Sequence, residues 1–351
     1  MSNYDNIYKS IKERFDSLAK PIDGLGTFED IVCRIGATLG TVSPDISKKA
    51  LVIMCADNGV VAEGVTQTEK CVTAKVASLM AEGKSSACLM AKDAGITVIP
   101  VDIGIDCEDS ICGLTDKKVM QGTGNIAIGS AMTKEQCLEA IAAGEDIAKQ
   151  CKDKGYSIIA TGEMGIGNTT TSTALFCAIT GNNPDEVTGR GAGLSDEGLA
   201  NKIKVIKKAL KLHGYESNDN ILKSPDDVLM ALCHVGGLDI AGLTGLYKGC
   251  FNCHIPVVID GAISSVAALA ASIIYPPCKE AMIASHTGRE KITEKVLEIL
   301  KITPVINAGL SLGEGTGAIL LMPLLDMVFS VYNNLPMFEE TDILKYERYD
   351  K

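Results

Sequence analysis

Short β-branched runs, glycine-bearing loops and helical stretches follow one another through the middle of the chain. The runs at 50–54 (ALVIM), 96–101 (ITVIPV), 157–160 (SIIA), 255–259 (IPVVI) and 302–306 (ITPVI) are too short for helices and are read as strands. Their alternation with glycine loops and helices predicts a parallel sheet with crossover helices, an α/β fold. Between them, Thr133 opens a helix as a capping box with Gln136, and Gly155 marks its end. Further helices are expected at 263–274 and 316–332, each after a glycine loop. A helix at 6–19 and the charged tail after Pro336 lie outside the alternation. They are expected to pack together as a small helical domain, 1–25 with 333–351, leaving 26–332 as one large α/β domain. No fixed-period repeat or low-complexity linker divides that domain.

Composition narrows the function. The chain has 351 residues, 46% hydrophobic and 22% charged, enough for a large core. Its net charge of -11 and scattered Lys and Arg argue against nucleic acid as a partner. The charged amphipathic start carries no apolar signal region, so a cytoplasmic protein is expected. The apolar run AILLMPLL at 318–325, with Pro323 inside it and Asp326 after it, is shorter than the ~20 residues of a membrane span, so no membrane insertion is expected. The 13 cysteines read as reduced packing residues. Cys250-Phe-Asn-Cys253-His254 fits the haem-attachment spacing but leads straight into a strand in a chain without an export signal, and no second pair completes a zinc site. No metal or cofactor is expected.

In open parallel sheets, ligands bind beyond the carboxyl ends of the strands. Asp57, Glu163, Asp260 and Glu314 all follow or close apolar runs, and four acids at one sheet edge suggest chemistry, although each alone reads equally well as a helix cap. Asp260-Gly261 and the segment Gly165 to Thr170 precede helix starts suited to an anion. Glu314 lies between Gly313 and Gly315, with Thr316 opening a helix whose N-terminal dipole favours the ionised acid and so a general base. The glycines at 313, 315 and 317 do not form G-x-G-x-x-G, which leaves a nicotinamide-dinucleotide dehydrogenase a weak second reading, and no G-x-x-x-x-G-K-[ST] loop is present. His213, His234, His254 and His286 are scattered and read as packing or surface residues.

Together the segments AKPIDGLG (19–26), CADNGV, GTGNIAIGSAMT, TGEMGIGNTT, NKIKVIKKA, HVGGLDIAGLTG, VIDGAISSVAALAA, ASHT and LGEGTGAILLMP resemble the nicotinate-nucleotide:dimethylbenzimidazole phosphoribosyltransferase family, which activates the lower base of cobalamin. The resemblance spans most of the chain. It implies a Rossmann-like sheet, a small domain from both termini, and a dimer of identical chains or of this chain with a related subunit. It also implies transfer of ribose 5-phosphate from nicotinate mononucleotide to a lower-ligand base, inverting β to α. Glu314 would take the proton of the incoming base, Glu163, Gly165 and Lys202 would face nicotinate and ribose, and Gly261, Ser264, Gly288, Gly315 and Thr316 would surround the phosphate.

The chain departs from the family around the base. Thr68 and Val76 stand where the family has Ser and Gln, and Asn58 where His is usual. A pocket without the amide has lost a partner for the second ring nitrogen, which leaves open a phenol or another benzimidazole as acceptor. Leu312 is expected against the face of the base. A non-catalytic paralogue subunit is a third reading, opposed by the retained Glu314.

Overall fold

The computed structural model describes residues 2–216 and 221–348. Strands β1 (Lys49–Ala56), β2 (Ile96–Gly104), β3 (Thr115–Asp116), β4 (Ile158–Met164), β5 (Val257–Ile259) and β6 (Met282–Ala284) form one sheet in the order β3-β2-β1-β4-β5-β6. Every pairing in it is parallel. This is the Rossmann order, with its reversal between β1 and β4. A second parallel pair joins β7 (His286–Gly288) to β8 (Ile306–Leu310).

The central strand shows why the chain folds this way. All of β1 is buried, and the alternation of its side chains splits the core in two. Ala50, Val52 and Met54 point into a cluster with Ile141, Leu175, Leu246 and Val266. Leu51, Ile53 and Cys55 point into another with Ile11, Phe15, Ile35, Leu321 and Leu325. Burying each large apolar side chain contributes about 1.5–3 kcal/mol. The second cluster therefore ties helices Asn3–Ser17, Thr27–Leu39 and Thr316–Asn334 to one face of the sheet.

The two ends of the chain meet there. Leu18 and Met337 form an antiparallel bridge, and the Ala19 N–H donates to Pro336 O at 2.9 Å. Arg14 donates to Tyr332 O at 3.2 Å, while Phe15 packs on the Tyr332 ring with centroids 4.8 Å apart. Residues 1 and 349–351 of the expected small domain lie outside the described residues.

Most expected elements appear with small changes of boundary, and the Thr133–Gln136 capping box closes the start of helix Lys134–Asp153 as expected. The run at 302–306 is a correction. Lys301, at φ 54°, ends helix Lys291–Leu300, and buried Ile302 donates its N–H back to Leu297 O at 3.1 Å. The run thus supplies the apolar residue after a helix cap, and the strand starts only at Ile306. The helix expected at 316–332 is present as Thr316–Asn334 and continues through Pro323, held by buried Leu321, Met322 and Leu325. That helix is long and apolar enough to cross a membrane by length and composition, and 56% of its most apolar window is buried inside the fold. Cys250 and Cys253 end helix Leu238–Asn252, and His254 makes a left-handed turn, φ 53°, toward β5.

Candidate active site

Beyond the carboxyl ends of β4, β5 and β8 lies a cavity of about 340 Å³. From β4 and its following loop come Glu163 and Gly165; from the loop after β5 and the next helix come Asp260, Gly261 and Ser264. Gly288 of β7 and the residues Leu312, Gly313, Glu314 and Thr316 enclose a further side, and Thr68 and Val76 close it from the segment after β1. Two expected site residues are not among its lining. Gly315 rests on the sheet, where a side chain would come 2.4 Å from Leu51 Cδ1, and Lys202 lies behind Thr169, donating to its Oγ1 at 2.8 Å.

Glu314 is the middle of three successive left-handed residues, with φ values of 85°, 58° and 83° for Gly313, Glu314 and Gly315. The flanking glycines adopt this conformation without the Cβ penalty that Glu314 bears. Its backbone lies against Gly162 of β4, where an added Cβ would come within 2.9 Å of Glu314 C and O. The Glu314 carboxylate accepts the Ala87 N–H at 3.2 Å, in the first turn of helix Ser86–Asp93. The helix terminus that meets this acid thus belongs to a different helix from the one expected, Thr316–Asn334.

That helix is capped by Asp260, whose Oδ1 accepts the N–H groups of Gly317 and Ala318 at 2.9 and 3.0 Å. The capping reading of this acid is correct, although the capped helix lies far along the chain. Burial raises the Asp260 pKa, opposed by His286 and by the backbone donors. Asp57 does not join the cavity. It accepts the Asp106 N–H at 2.8 Å and fixes that loop, so three of the four expected acids, not four, face one site. Asn58 is likewise absent from the lining: it accepts from Thr171 at 3.2 Å and donates to Ile166 O at 3.4 Å.

Glu163 is buried, and burial together with Asp239 pushes its pKa up to about 8. The Asn168 amide donates to both Glu163 and Asp239, the latter at 3.0 Å. Asp239, raised to about 6 by burial, sits behind the cavity wall. Lys202 is also buried, which lowers its pKa to about 8, against the opposing pull of Glu290.

Unpartnered hydrogen-bond donors line another part of the same cavity. The helix Ala262–Ile274 starts at Gly261 with no side-chain cap, so its first N–H groups are free for a ligand. Beside it, Ser264 Oγ and Thr293 Oγ1 are buried without any hydrogen-bond partner, although both residues border the cavity. Leu312, 55% exposed, stands at the cavity mouth. Among the described residues, the one cluster of three acids spaced for a metal ion, Asp16, Asp23 and Glu29, is elsewhere and is paired to Lys12, Lys20 and Arg348.

His286 corrects the sequence reading, because it is buried and lines the cavity. The three-residue strand β6 just before it is too short to leave a periodic signal, and without that strand nothing in the sequence places His286 at a strand end. Asn168 and Thr293 also escape a reading of the sequence: Asn168 bridges Glu163 to Asp239, 71 residues away, and only the fold brings Thr293 to the cavity.

A family described as phosphoribosyltransferase matches residues 2–343. The nicotinate-nucleotide–dimethylbenzimidazole phosphoribosyltransferase of Acetivibrio thermocellus is 43% identical over 337 residues, covering 96% of this chain and 94% of its own. The protein of the same name from Clostridium acetobutylicum is 40% identical, covering 99% and 97%. The crystal structure of CobT from Thermus thermophilus superposes with a TM-score of 0.88 at 34% identity, covering 95% of this chain and 98% of that one. With near-complete overlap in both sequence and fold, the chain belongs to the nicotinate-nucleotide–dimethylbenzimidazole phosphoribosyltransferase family.

Proposed function

We propose that this chain transfers ribose 5-phosphate from nicotinate mononucleotide to the lower-ligand base of a cobamide, with Glu314 as the general base. The observation that carries the reading is the pairing, across one cavity, of the Glu314 carboxylate with the unpartnered Ser264 and Thr293 hydroxyls at a free helix N-terminus. The hydroxyls and N–H groups suit the 5′-phosphate, and Gly261 and Gly288 let it approach the backbone. The ring nitrogen of the incoming base then attacks the ribose anomeric carbon from the face opposite nicotinate. Its N–H proton passes to Glu314. The electron pair of the broken C–N bond returns to the pyridinium ring, which leaves as nicotinate without needing a proton. Placement of the two reactants supplies much of the acceleration.

Glu163, with its raised pKa, fits the role of a neutral hydrogen-bond donor beside the nicotinate or ribose. Gly165 borders the same region, while Lys202 would act through Thr169, to which it donates. Thr68, Val72, Val76 and Met164 form the wall nearest the acceptor side, and only Thr68 among them offers a hydrogen-bonding side chain. This wall supports acceptance of phenols alongside benzimidazoles. The proposal also includes a cytoplasmic reaction and a dimer of identical chains or of this chain with a related subunit.

The test is nicotinate release from nicotinate mononucleotide with dimethylbenzimidazole and, separately, with phenol or p-cresol. Release that depends on the added base and collapses in Glu314→Gln supports the reading. An inert wild type with every base, alone and with a related subunit, would sink it.

A further inference from the structure

His286 sits on the anion side of the cavity, and its hydrogen bonds fix where its proton is. The Ser285 hydroxyl has a single hydrogen, and it donates that hydrogen to Ile259 O at 2.7 Å. Ser285 Oγ also lies 2.9 Å from His286 Nδ1. With its hydrogen spent, the hydroxyl accepts there, so Nδ1 carries the N–H. The neutral ring must then leave Nε2 as a bare lone pair. Nε2 makes no hydrogen bond among the described residues and lies 3.9 Å from the position a Cβ would take on Gly261, the residue that opens helix Ala262–Ile274. It therefore turns an acceptor toward the place where the free helix N–H groups and the Ser264 and Thr293 hydroxyls call for an anion.

A lone pair repels an anion, and a protonated Nε2 attracts one. We propose that an oxyanion at this seat binds with uptake of one proton by His286, so that the phosphate of the substrate converts a neutral imidazole into an imidazolium that holds it. The inference rests on the phosphate placement proposed above and adds a protonation step to it. The ring has the surroundings the step requires. Burial lowers the His286 pKa and so favours the neutral ring, while Asp260 opposes that shift and favours the charged form. Asp260 comes from the loop after β5. The other charged groups around the cavity are Glu163 from β4, Arg190 after helix Pro184–Val187, Arg289 and Glu290 after β7, and Glu314 from the loop after β8. The ring cannot easily turn to offer Nδ1 instead, because it is pressed on Gly317, where a Cβ would come 2.0 Å from Nδ1 and 2.2 Å from Cε1.

The sign follows from linkage. An anion that raises the His286 pKa binds best where the ring is already protonated, and its affinity falls as pH rises through the interval between the free and bound values. The limit for one proton is about tenfold per pH unit. Sulfate is the clean probe, since it carries no titrating proton of its own near neutral pH, and nicotinate mononucleotide is the second.

Titration calorimetry of the intact protein in buffers of different ionisation heat, at pH 7, reads the proton directly. The expected result is uptake of a substantial fraction of one proton with either probe, and weaker binding toward pH 8.5. His286→Gln should abolish the uptake, weaken binding by about tenfold to a hundredfold, the worth of one charge-assisted hydrogen bond, and flatten its pH dependence. Nicotinate riboside, which lacks the phosphate, should bind without the uptake. Sulfate binding without proton uptake by the wild type overturns the inference even if the variant fails to fold, as does uptake that persists in His286→Gln. Proton-linked sulfate binding by a protein with no transferase activity would support the seat while overturning the reaction assigned to it.

Discussion

The carboxylate of Glu314 and the main-chain N–H of Ala87, 227 residues apart in sequence, meet at 3.2 Å. The contact holds the acid at the N-terminal turn of helix Ser86–Asp93, and its strained backbone is braced by Gly162 below. The acid is thus aimed by elements outside its own loop.

If Glu314 is the proton acceptor, Glu314→Gln should lower kcat by about a hundredfold to ten-thousandfold while leaving KM for nicotinate mononucleotide within a few-fold of wild type. Glu314→Gly, which relieves the positive φ, should lose the same activity yet unfold at an equal or higher temperature. Steady-state nicotinate release and thermal unfolding check both. A wild-type rate in either variant removes Glu314 from the chemistry.

Gly317→Ala places a methyl group inside the His286 ring position. Overpacking of this kind costs about 1–3 kcal/mol, and displacement of the ring should also raise KM for the phosphorylated donor by a larger factor than it lowers kcat. Chemical denaturation and the two kinetic constants, measured together, separate these effects. An alanine tolerated without change in either would contradict the packing described.

Glu163 and Asp239 give stability a definite slope against pH. Both folded-state pKa values lie above their ordinary ones, about 8 against 4.5 and about 6 against 3.8, so the native state binds more protons than the unfolded state between those limits. Their contribution is fully present at acid pH and is lost as pH rises through about 6 and then about 8. The unfolding temperature of the unliganded protein should therefore fall from pH 5 to pH 8.5, and Glu163→Gln should flatten the part above pH 6. A wild-type midpoint unchanged over this range would refute the assignment.

Val76 sets up a test of acceptor choice. Restoring an amide with Val76→Gln should favour dimethylbenzimidazole over p-cresol in direct competition by about tenfold or more, because an unpaired buried amide disfavours the less polar base. If the wild type already excludes phenols completely, the proposed breadth of the pocket is wrong.

Part of this is legible in the sequence, and the rest is hidden for physical reasons. Strand β1 and helix Lys134–Asp153 announce themselves by a continuous apolar run and a capping box, both local features. Glu314 stands out because two glycines flank it. By contrast, His286 follows a strand of three residues, and Asp260 does its capping for a helix that starts at Thr316. Asp57 looks equivalent to the other acids because its partner, the Asp106 N–H, is invisible without the fold. Gly315 reads as a ligand contact, yet it is the residue whose lack of a side chain lets the loop lie on Leu51. Local signals thus identify elements, while the division of labour among similar side chains is set by which distant segment each one meets.

The pairing of Arg14 with Tyr332 spans 318 residues, which gives the protein a particular timing during synthesis. The apolar stripe of Ile11, Phe15 and Leu18 can pack early on helix Thr27–Leu39, its main partner, whereas the Tyr332 ring against Phe15 comes from a helix made much later. The same late helix brings Thr316, Gly317 and the turn that holds Glu314. A nascent chain can therefore pair its first two helices long before it has either the Tyr332 contact or Glu314, and those two arrive together.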